Sequence, residues 1–415
     1  MKIAFLIHNV YGIGGTIRTT LNLAAALADR HEVEIASMLR HRENPRFSVD
    51  PRVTVVPLVD IRPDSEDSAD PRLHQPAEIF PAAEKRYRQY SRLTDLRAEE
   101  YLRTCDADVI IGTRPGVNVY LARCGPPRAL RIAQEHLTHD THSKKLRAHL
   151  ARHYRTLDAV VTTTEADADA YRAKMRLPGV PVLAVPNSVP ETDIPPADGT
   201  AQVIAAAGRL TRAKRFDLLI DAFADVAAQH PDWSLRIYGT GTDKDPLQQL
   251  IDDHNLGKQA TLMGSRSPIE HEFAQASIVA VASDAESFGM TIVEAMRCGV
   301  PVVSTDCPLG PGEIIHDGVD GRLVPVGDRK ALADALLDLV ADEGARHRMG
   351  QAALATARRY DPGPIARTYD ELFAELASSR RSRAWQRQRA LWCSRLRLLV
   401  RRWRRWADSP RTTVR

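Results

Sequence analysis

The stretch Glu286-Ser287-Phe288-Gly289-Met290-Thr291-Ile292-Val293-Glu294-Ala295-Met296, running on into Cys298-Gly299-Val300-Pro301-Val302-Val303, decides how this chain folds. Before it lies a short apolar run, Ile278 to Ala282, with the length and composition of a buried strand. Thr291 to Cys298 has the spacing of a helix, and Gly299 sits where a glycine can close that helix in the left-handed conformation. Val302 to Ser304 is again strand-like. Strand, helix and strand at these separations form a right-handed βαβ unit on a parallel sheet. The loop with Gly289 at the head of the helix offers unpaired N–H groups and the positive end of a helix dipole, which suits a phosphate or pyrophosphate. Glu294, about one turn in, can accept hydrogen bonds from a ribose diol beside that phosphate, and Glu286 stands in the loop at the mouth of the site. Two glutamates by themselves would only favour the helix N-terminus electrostatically; the whole string says more.

The same alternation extends to both sides. Downstream of residue 200 strands are expected at Val203 to Ala207 and Ser234 to Tyr238, with helices at Phe216 to Ala228, Asp245 to Asn255 and Lys330 to Val340. Upstream, Ile3 to Ile7, Glu32 to Ala36, Val109 to Gly112 and Ala159 to Thr163 read as strands, and about Ile17 to Asp29 as a helix. From Pro51 to Pro81 the chain is rich in Pro, Asp and Ser and is expected to run over the surface. Pro186-Asn187-Ser188-Val189-Pro190, followed by Pro195-Pro196, cannot continue a helix or a central strand and marks a hinge. The expected division is a first α/β domain at 1–185, a hinge at 186–200, a second α/β domain at 201–361, a closing helix at 362–379 and a tail at 380–415. Ligands of such sheets sit at the carboxyl ends of the strands, so the active site is expected between the domains.

The 415 residues are too many for one core, in keeping with two domains. No run approaches the 18 or so apolar residues of a membrane span. Met1 to Ile7 is too short for a signal-peptide core, which points to the cytoplasm. Five cysteines without a C-x-x-C spacing read as reduced thiols. The net charge of +4 conceals a division: the last 36 residues hold thirteen arginines and one acid, giving +12 and leaving −8 for the rest. Trp385, Trp392, Leu396, Leu399, Trp403 and Trp406 fall within roughly 80° of one helical face, with most arginines elsewhere on the wheel. That pattern describes a basic amphipathic helix lying on an anionic membrane surface. A seam packed on the body or on a second copy is the competing reading. Nucleic acid is disfavoured because no nucleic-acid fold accompanies the arginines.

The string from Glu286 to Glu294 resembles the E-x7-E signature of retaining, nucleotide-sugar-dependent glycosyltransferases of the GT-B fold, the bacterial family 4 group. Gly12-Ile13-Gly14-Gly15-Thr16, with Arg18 and Leu21-Asn22-Leu23-Ala24 after it, resembles that family's first glycine loop. Val185-Pro186-Asn187-Ser188-Val189 resembles its hinge, and Gly208-Arg209-Leu210 with Lys214 its basic donor-phosphate motif. Gly310-Pro311-Gly312-Glu313-Ile314-Ile315 through Gly321-Arg322-Leu323-Val324-Pro325 resembles the stretch after the second glutamate. The likeness covers about residues 1 to 376 and implies two Rossmann-like doubly wound domains facing each other across a cleft.

The resemblance further implies that Arg209 and Lys214 clamp the donor diphosphate, while Gly14 and Gly15 let the first domain's backbone approach it. Ser287, Phe288, Gly289 and Met290 would supply backbone contacts, Glu286 would hold sugar hydroxyls, and Glu294 the ribose. An Arg fork and a Lys point charge make chemical sense there, because both stabilise charge growing on a leaving diphosphate. His136, after Arg131-Ile132-Ala133, falls where the family carries an active-site histidine, with His139 and His142 as competitors for the assignment. Ile17 departs from the acidic residue common in relatives. Retention without a nucleophile implies same-face transfer in which the leaving phosphate takes the acceptor's proton, needing neither metal nor resident cofactor. Asp106-Ala107-Asp108 and Asp167-Ala168-Asp169 have the D-x-D form of metal-dependent transferases but read as ordinary polar positions. The function expected is transfer from a nucleotide-diphosphate sugar to a cell-surface glycan or lipid-linked acceptor at the inner face of the plasma membrane. A sugar-nucleotide epimerase on the same fold and a non-catalytic membrane-recruited scaffold are the alternatives.

Overall fold

The computed structural model describes residues 1–386, 388 and 389. In the first half the order is β1 (Lys2–Ile7), α1 (Gly15–Leu27), β2 (Glu32–Arg40), β3 (Val53–Asp60), α2 (Arg92–Thr104), β4 (Val109–Gly112), α3 (Pro115–Cys124), β5 (Leu130–Gln134), α4 (Lys144–His153), β6 (Ala159–Thr162), α5 (Glu165–Lys174) and β7 (Val182–Ala184). The second half runs β8 (Val203–Ala207), α6 (Phe216–Gln229), β9 (Ser234–Tyr238), α7 (Lys244–Asp253), β10 (Ala260–Gly264), α8 (Glu270–Phe273), β11 (Ile278–Val281), α9 (Met290–Arg297), β12 (Val302–Thr305), α10 (Pro311–Ile314), β13 (Gly321–Val324), α11 (Arg329–Ala341), α12 (Glu343–Ala357) and α13 (Pro362–Ser378).

The strands form two parallel sheets, one ordered β3-β2-β1-β4-β5-β6-β7 and the other β10-β9-β8-β11-β12-β13. In both, the order reverses beside the first strand, between β1 and β4 and between β8 and β11. A crevice opens at the carboxyl ends of such a pair, because the flanking connections leave on opposite faces. The central strands are apolar throughout because helices cover both faces: residues 3–7 of β1 and all four of β11 are buried. Gly299 closes α9 with φ 69, as its sequence position suggests.

One expectation is corrected. The segment after Pro51 is not all surface excursion, since β3 pairs along β2 with Pro57 opposite Ser37. Pro57 obscured this strand in the sequence, yet proline is compatible with an edge strand, where its missing N–H costs no ladder bond. The connection that follows is packed: Phe80 stacks on Tyr90 at 3.6 Å between centroids. The buried Asp95 carboxylate accepts the N–H groups of Glu78 at 2.6 Å and Ile79 at 3.0 Å.

The chain then returns to the first sheet. Ile365, Tyr369, Phe373 and Leu376 of α13 are buried in one cluster with Ile3, Phe5 and Leu23, each worth roughly 1.5–3 kcal/mol removed from water. The Gln134 side chain donates to Tyr369 Oη at 2.7 Å. A helical stretch resumes at 380–386. There Arg383 is buried, donating to the Asp158 carboxylate at 2.9 Å and to the Leu376 carbonyl at 2.6 Å, while Arg380 donates to the Arg128 carbonyl at 3.0 Å. Asp158 and Arg128 precede β6 and β5, so the first turn of the arginine-rich segment is fixed at the amino end of the first sheet, away from the crevice. Trp385 is exposed; Trp392, Leu396, Leu399, Trp403 and Trp406 lie outside the described residues. Among the described residues no helix is long and apolar enough to cross a membrane.

Candidate active site

The site is built from the loop between β11 and α9. Gly289 caps α9 with φ 108, a left-handed conformation, and a Cβ there would come within 3.0 Å of Ile292 Cδ1. Glycine therefore fixes where the helix starts and which way its first N–H groups point. The Phe288 side chain is buried edge-on against Tyr360 at 5.5 Å. It anchors the loop in the core and leaves only its backbone for a ligand.

Opposite this helix end stands the basic loop after β8. Leu210 N donates to the Thr240 carbonyl at 3.0 Å, and Gly239 passes so close to Gly208 that a Cβ on it would lie 1.8 Å from the Gly208 oxygen. The Gly-Thr-Gly stretch 239–241, not singled out in the sequence, thus holds the basic loop. Lys214 Nζ meets Glu286 Oε1 at 2.5 Å, and Ser283 donates to the same oxygen at 2.7 Å. Arg209 is exposed and enters no ion pair among the described residues. A cation fixed by Glu286 beside the α9 N-terminus, with a second, unpaired cation on the same basic loop, suits a diphosphate.

The first domain reaches across from α1. Arg18 donates from Nη1 to Glu294 Oε1 at 2.9 Å and from Nη2 to Glu270. Both carboxylates are buried. Burial, and then the charge of Glu270, push Glu294 up to about 7 against the pull of Arg18 and Lys214. Four further hydrogen bonds join the domains. Thr163 donates to the Ser287 carbonyl at 2.8 Å, Thr19 to Met290 Sδ at 3.7 Å, and the Glu313 carboxylate accepts the Glu165 and Ala166 N–H groups at the head of α5 at 2.9 and 2.8 Å. Gly14 and Gly15 open α1 with nothing within 4 Å of a Cβ position on either, so a ligand can approach their backbone.

His136 follows β5, is buried, and its Nε2 has no hydrogen-bond partner among the described residues. Burial lowers it to about 4, so its ring is neutral at physiological pH. Its neighbour Glu135 accepts from Asn118 Nδ2 at 3.0 Å and from the Tyr154 hydroxyl, and burial raises it to about 8. The D-x-D pairs are engaged elsewhere: Asp106 with Lys2 at 2.6 Å, Asp108 with the Lys2 N–H at 2.9 Å, and Asp167 with the His139 N–H at 2.8 Å.

Residues 14–188 match the glycosyl transferase 4-like domain and residues 191–356 the glycosyl transferases group 1 family. The chain is a group 1 glycosyltransferase of family 4. It is 34% identical over 391 residues to an exopolysaccharide phosphotransferase of Streptomyces coelicolor, covering 92% of this chain and 41% of that relative. It is 24% identical over 377 residues to the amylovoran biosynthesis glycosyltransferase AmsD of Erwinia amylovora, covering 89% of this chain and 99% of AmsD. The chain thus spans less than half of the first relative and nearly all of the second. Its GT-B fold is shared with TarM of S. aureus, TM-score 0.74 at 17% identity over 90% of this chain and 99% of TarM. HepE of Anabaena, solved with UDP, has TM-score 0.69 at 22% identity over 90% of this chain and 100% of HepE.

In this glycosyltransferase the expected residues fall into groups. Lys214, Glu286, Ser287, Gly289, Met290 and Glu294 gather around the start of α9; Arg209 shares the basic loop with Lys214, and no described contact joins its side chain or that of His136 to them. Ser283, Glu270, Thr163 and the interdomain role of Glu313 are not evident in the sequence. Arg18 is visible there only as part of a motif, its position on the helix after the glycine loop being the available signal.

Proposed function

We propose that this chain transfers a hexosyl group, with retention, from a nucleotide-diphosphate sugar to a glycan or lipid-linked acceptor in the assembly of a bacterial surface polymer. The observation that carries the reading is the meeting of Lys214, Glu286 and Glu294 around the N-terminus of α9, with Arg209 exposed on the loop that carries Lys214. Arg209, Lys214 and the helix N–H groups hold the diphosphate, with Gly14 and Gly15 approaching from the first domain. Glu294 receives the ribose hydroxyls and Glu286 the sugar hydroxyls. UDP is the first nucleotide to test, since the TarM and HepE structures contain it.

As the bond from the anomeric carbon to the phosphate oxygen breaks, its electron pair leaves with the nucleoside diphosphate and the sugar ring gains oxocarbenium character. The acceptor oxygen bonds to the anomeric carbon on the same face, and its proton passes to the departing phosphate oxygen. Cationic groups set in place beforehand act where this negative charge grows, at no reorganisation cost during the step. Neutral His136 is assigned a hydrogen bond to the transferring sugar. Peripheral attachment to the cytoplasmic membrane face through the arginine-rich tail rests on its sequence pattern. Because Arg383 belongs to the body, the informative truncation is 387–415, which is expected to abolish binding to anionic vesicles and leave folding intact.

The test is a thermal-shift screen of UDP-, GDP-, ADP- and CDP-sugars, followed by NMR of the product's anomeric configuration. A ligand that binds only the folded state raises its apparent stability. One nucleotide family should raise Tm and yield a product with the donor's configuration; inversion, or no shift with any donor, overturns the reading.

A further inference from the structure

The donor assignment leaves a second cationic group unused, on the first domain's side of the crevice. Arg86 lies in the packed connection after β3, outside every motif quoted above. Its Nη1 donates to His8 Nε2 at 3.3 Å and to Gln89 Oε1 at 2.9 Å, and its side chain pairs with no carboxylate among the described residues. His8 follows β1, one of the two strands at which the first sheet reverses. A guanidinium can only donate, so Nε2 accepts from it and the remaining ring proton sits on Nδ1, which donates to Tyr90 Oη at 2.8 Å. Burial, then the charges of Arg86 and Arg114, hold this imidazole down at about 3, so it orients Arg86 as a neutral group.

Arg114 follows β4, the other strand at the reversal, and pairs with the buried Glu84 at 2.6 Å. Burial and then the charge of Arg114 lower the Arg86 pKa, Tyr90 and Glu84 work against them, and Arg209 of the second domain adds a smaller lowering. Three guanidinium groups thus converge on the crevice against one carboxylate. The donor diphosphate accounts for Arg209, and Glu84 for Arg114. Arg86 is exposed, aimed by a neutral histidine, and shares the single nearby carboxylate, Glu84, with Arg114; the positive charge left over favours an anion from outside.

We propose that Arg86, oriented by His8 and backed by Arg114, binds a phosphate group carried by the acceptor. The proposal rests on the donor reading above, which assigns Arg209 to the nucleotide. A planar fork gives two parallel bonds to phosphate oxygens and fixes the acceptor's orientation as well as its affinity. It would place the acceptor hydroxyl beside the anomeric carbon while keeping the acceptor's charge apart from the leaving diphosphate.

The test is calorimetric titration of inorganic phosphate into the full chain saturated with UDP, using wild type, Arg86→Gln, Arg86→Lys and, as a control outside the cluster, Arg88→Gln. Wild type and Arg88→Gln should bind one phosphate. Arg86→Gln should bind at least tenfold more weakly, Arg86→Lys should fall between, and UDP affinity should stay within twofold in all four. Phosphate binding that disappears when UDP is present, or that is equal in wild type and Arg86→Gln, overturns the proposal. So does an equal loss of UDP and phosphate affinity in Arg86→Gln, which would assign Arg86 to the donor. Failure of wild type to bind any nucleotide would overturn the donor reading instead. Repeating the titration with glycerol phosphate and with phosphatidic acid vesicles separates a soluble from a lipid-borne source: Arg86-dependent binding to either supports the proposal.

Discussion

Replacing Arg18 by alanine removes the only described cation that ion-pairs with Glu294 and Glu270. The guanidinium meets Glu294 at 2.9 Å, and the two carboxylates are 7% and 6% exposed. Removing one partner of a buried pair typically costs about 3–5 kcal/mol, because the other charge stays buried without compensation. Glu294 can escape part of that cost by taking a proton. Its pKa stands already at about 7, raised from 4.5, and loss of Arg18 raises it further. A group whose folded pKa is raised contributes stability below its unfolded pKa, and that contribution is lost as pH rises through the folded value. The deficit of Arg18→Ala should therefore be largest above pH 8, where wild-type Glu294 is ionised and held by Arg18. It should shrink towards pH 5.5, where Glu294 is protonated in both proteins. At roughly 2–4 °C per kcal/mol for domains of this size, a loss of about 3 kcal/mol lowers Tm by about 6–12 °C at pH 8.5, and by less than half of that at pH 5.5. Differential scanning calorimetry at the two pH values is the assay. An equal deficit at both, or a shift under about 2 °C at pH 8.5, would show that Arg18 does not hold an ionised Glu294.

Two further outcomes follow from the same geometry. Glu135, raised by burial from 4.5 to about 8, should cost wild type up to roughly 1.4 kcal/mol per pH unit as pH rises through that window. Glu135→Gln, which keeps an oxygen for Asn118 and Tyr154, should flatten the slope in urea unfolding between pH 5.5 and 7.5; identical slopes would contradict the assigned cause. Gly289→Ala forces a side chain into φ 108, within 3.0 Å of Ile292, at about 1–3 kcal/mol of strain. Because the strain shifts the start of α9, UDP affinity should drop at least tenfold by calorimetry, and unchanged affinity would show that the loop does not hold the nucleotide.

The donor loop was legible in the sequence because its cues are local. A glycine needing positive φ, a glycine cap at 299 and a helix spacing between them all fall within fourteen residues. The alternation of strands and helices likewise gave the two parallel sheets, whereas β3 was hidden by Pro57, which an edge position tolerates. What pattern could not reach is long-range. Arg18 and Glu270 lie 252 positions apart, and nothing in either segment announces the other. The docking of Arg383 on Asp158 was masked in the same way, since an arginine-rich run looks uniformly solvated until one of its members is buried. The grouping of His8, Arg86 and Arg114 comes from three separate connections that meet only where the sheet order reverses.

Calorimetric titration of UDP into wild type and Arg209→Ala asks whether the basic loop holds the nucleotide diphosphate. Arg209 is exposed and without an ion pair among the described residues, so its removal leaves the fold intact and reports on the ligand alone. The variant should lose at least tenfold in affinity, about 1.4 kcal/mol or more, at unchanged Tm. Equal affinity in the two proteins would contradict that role.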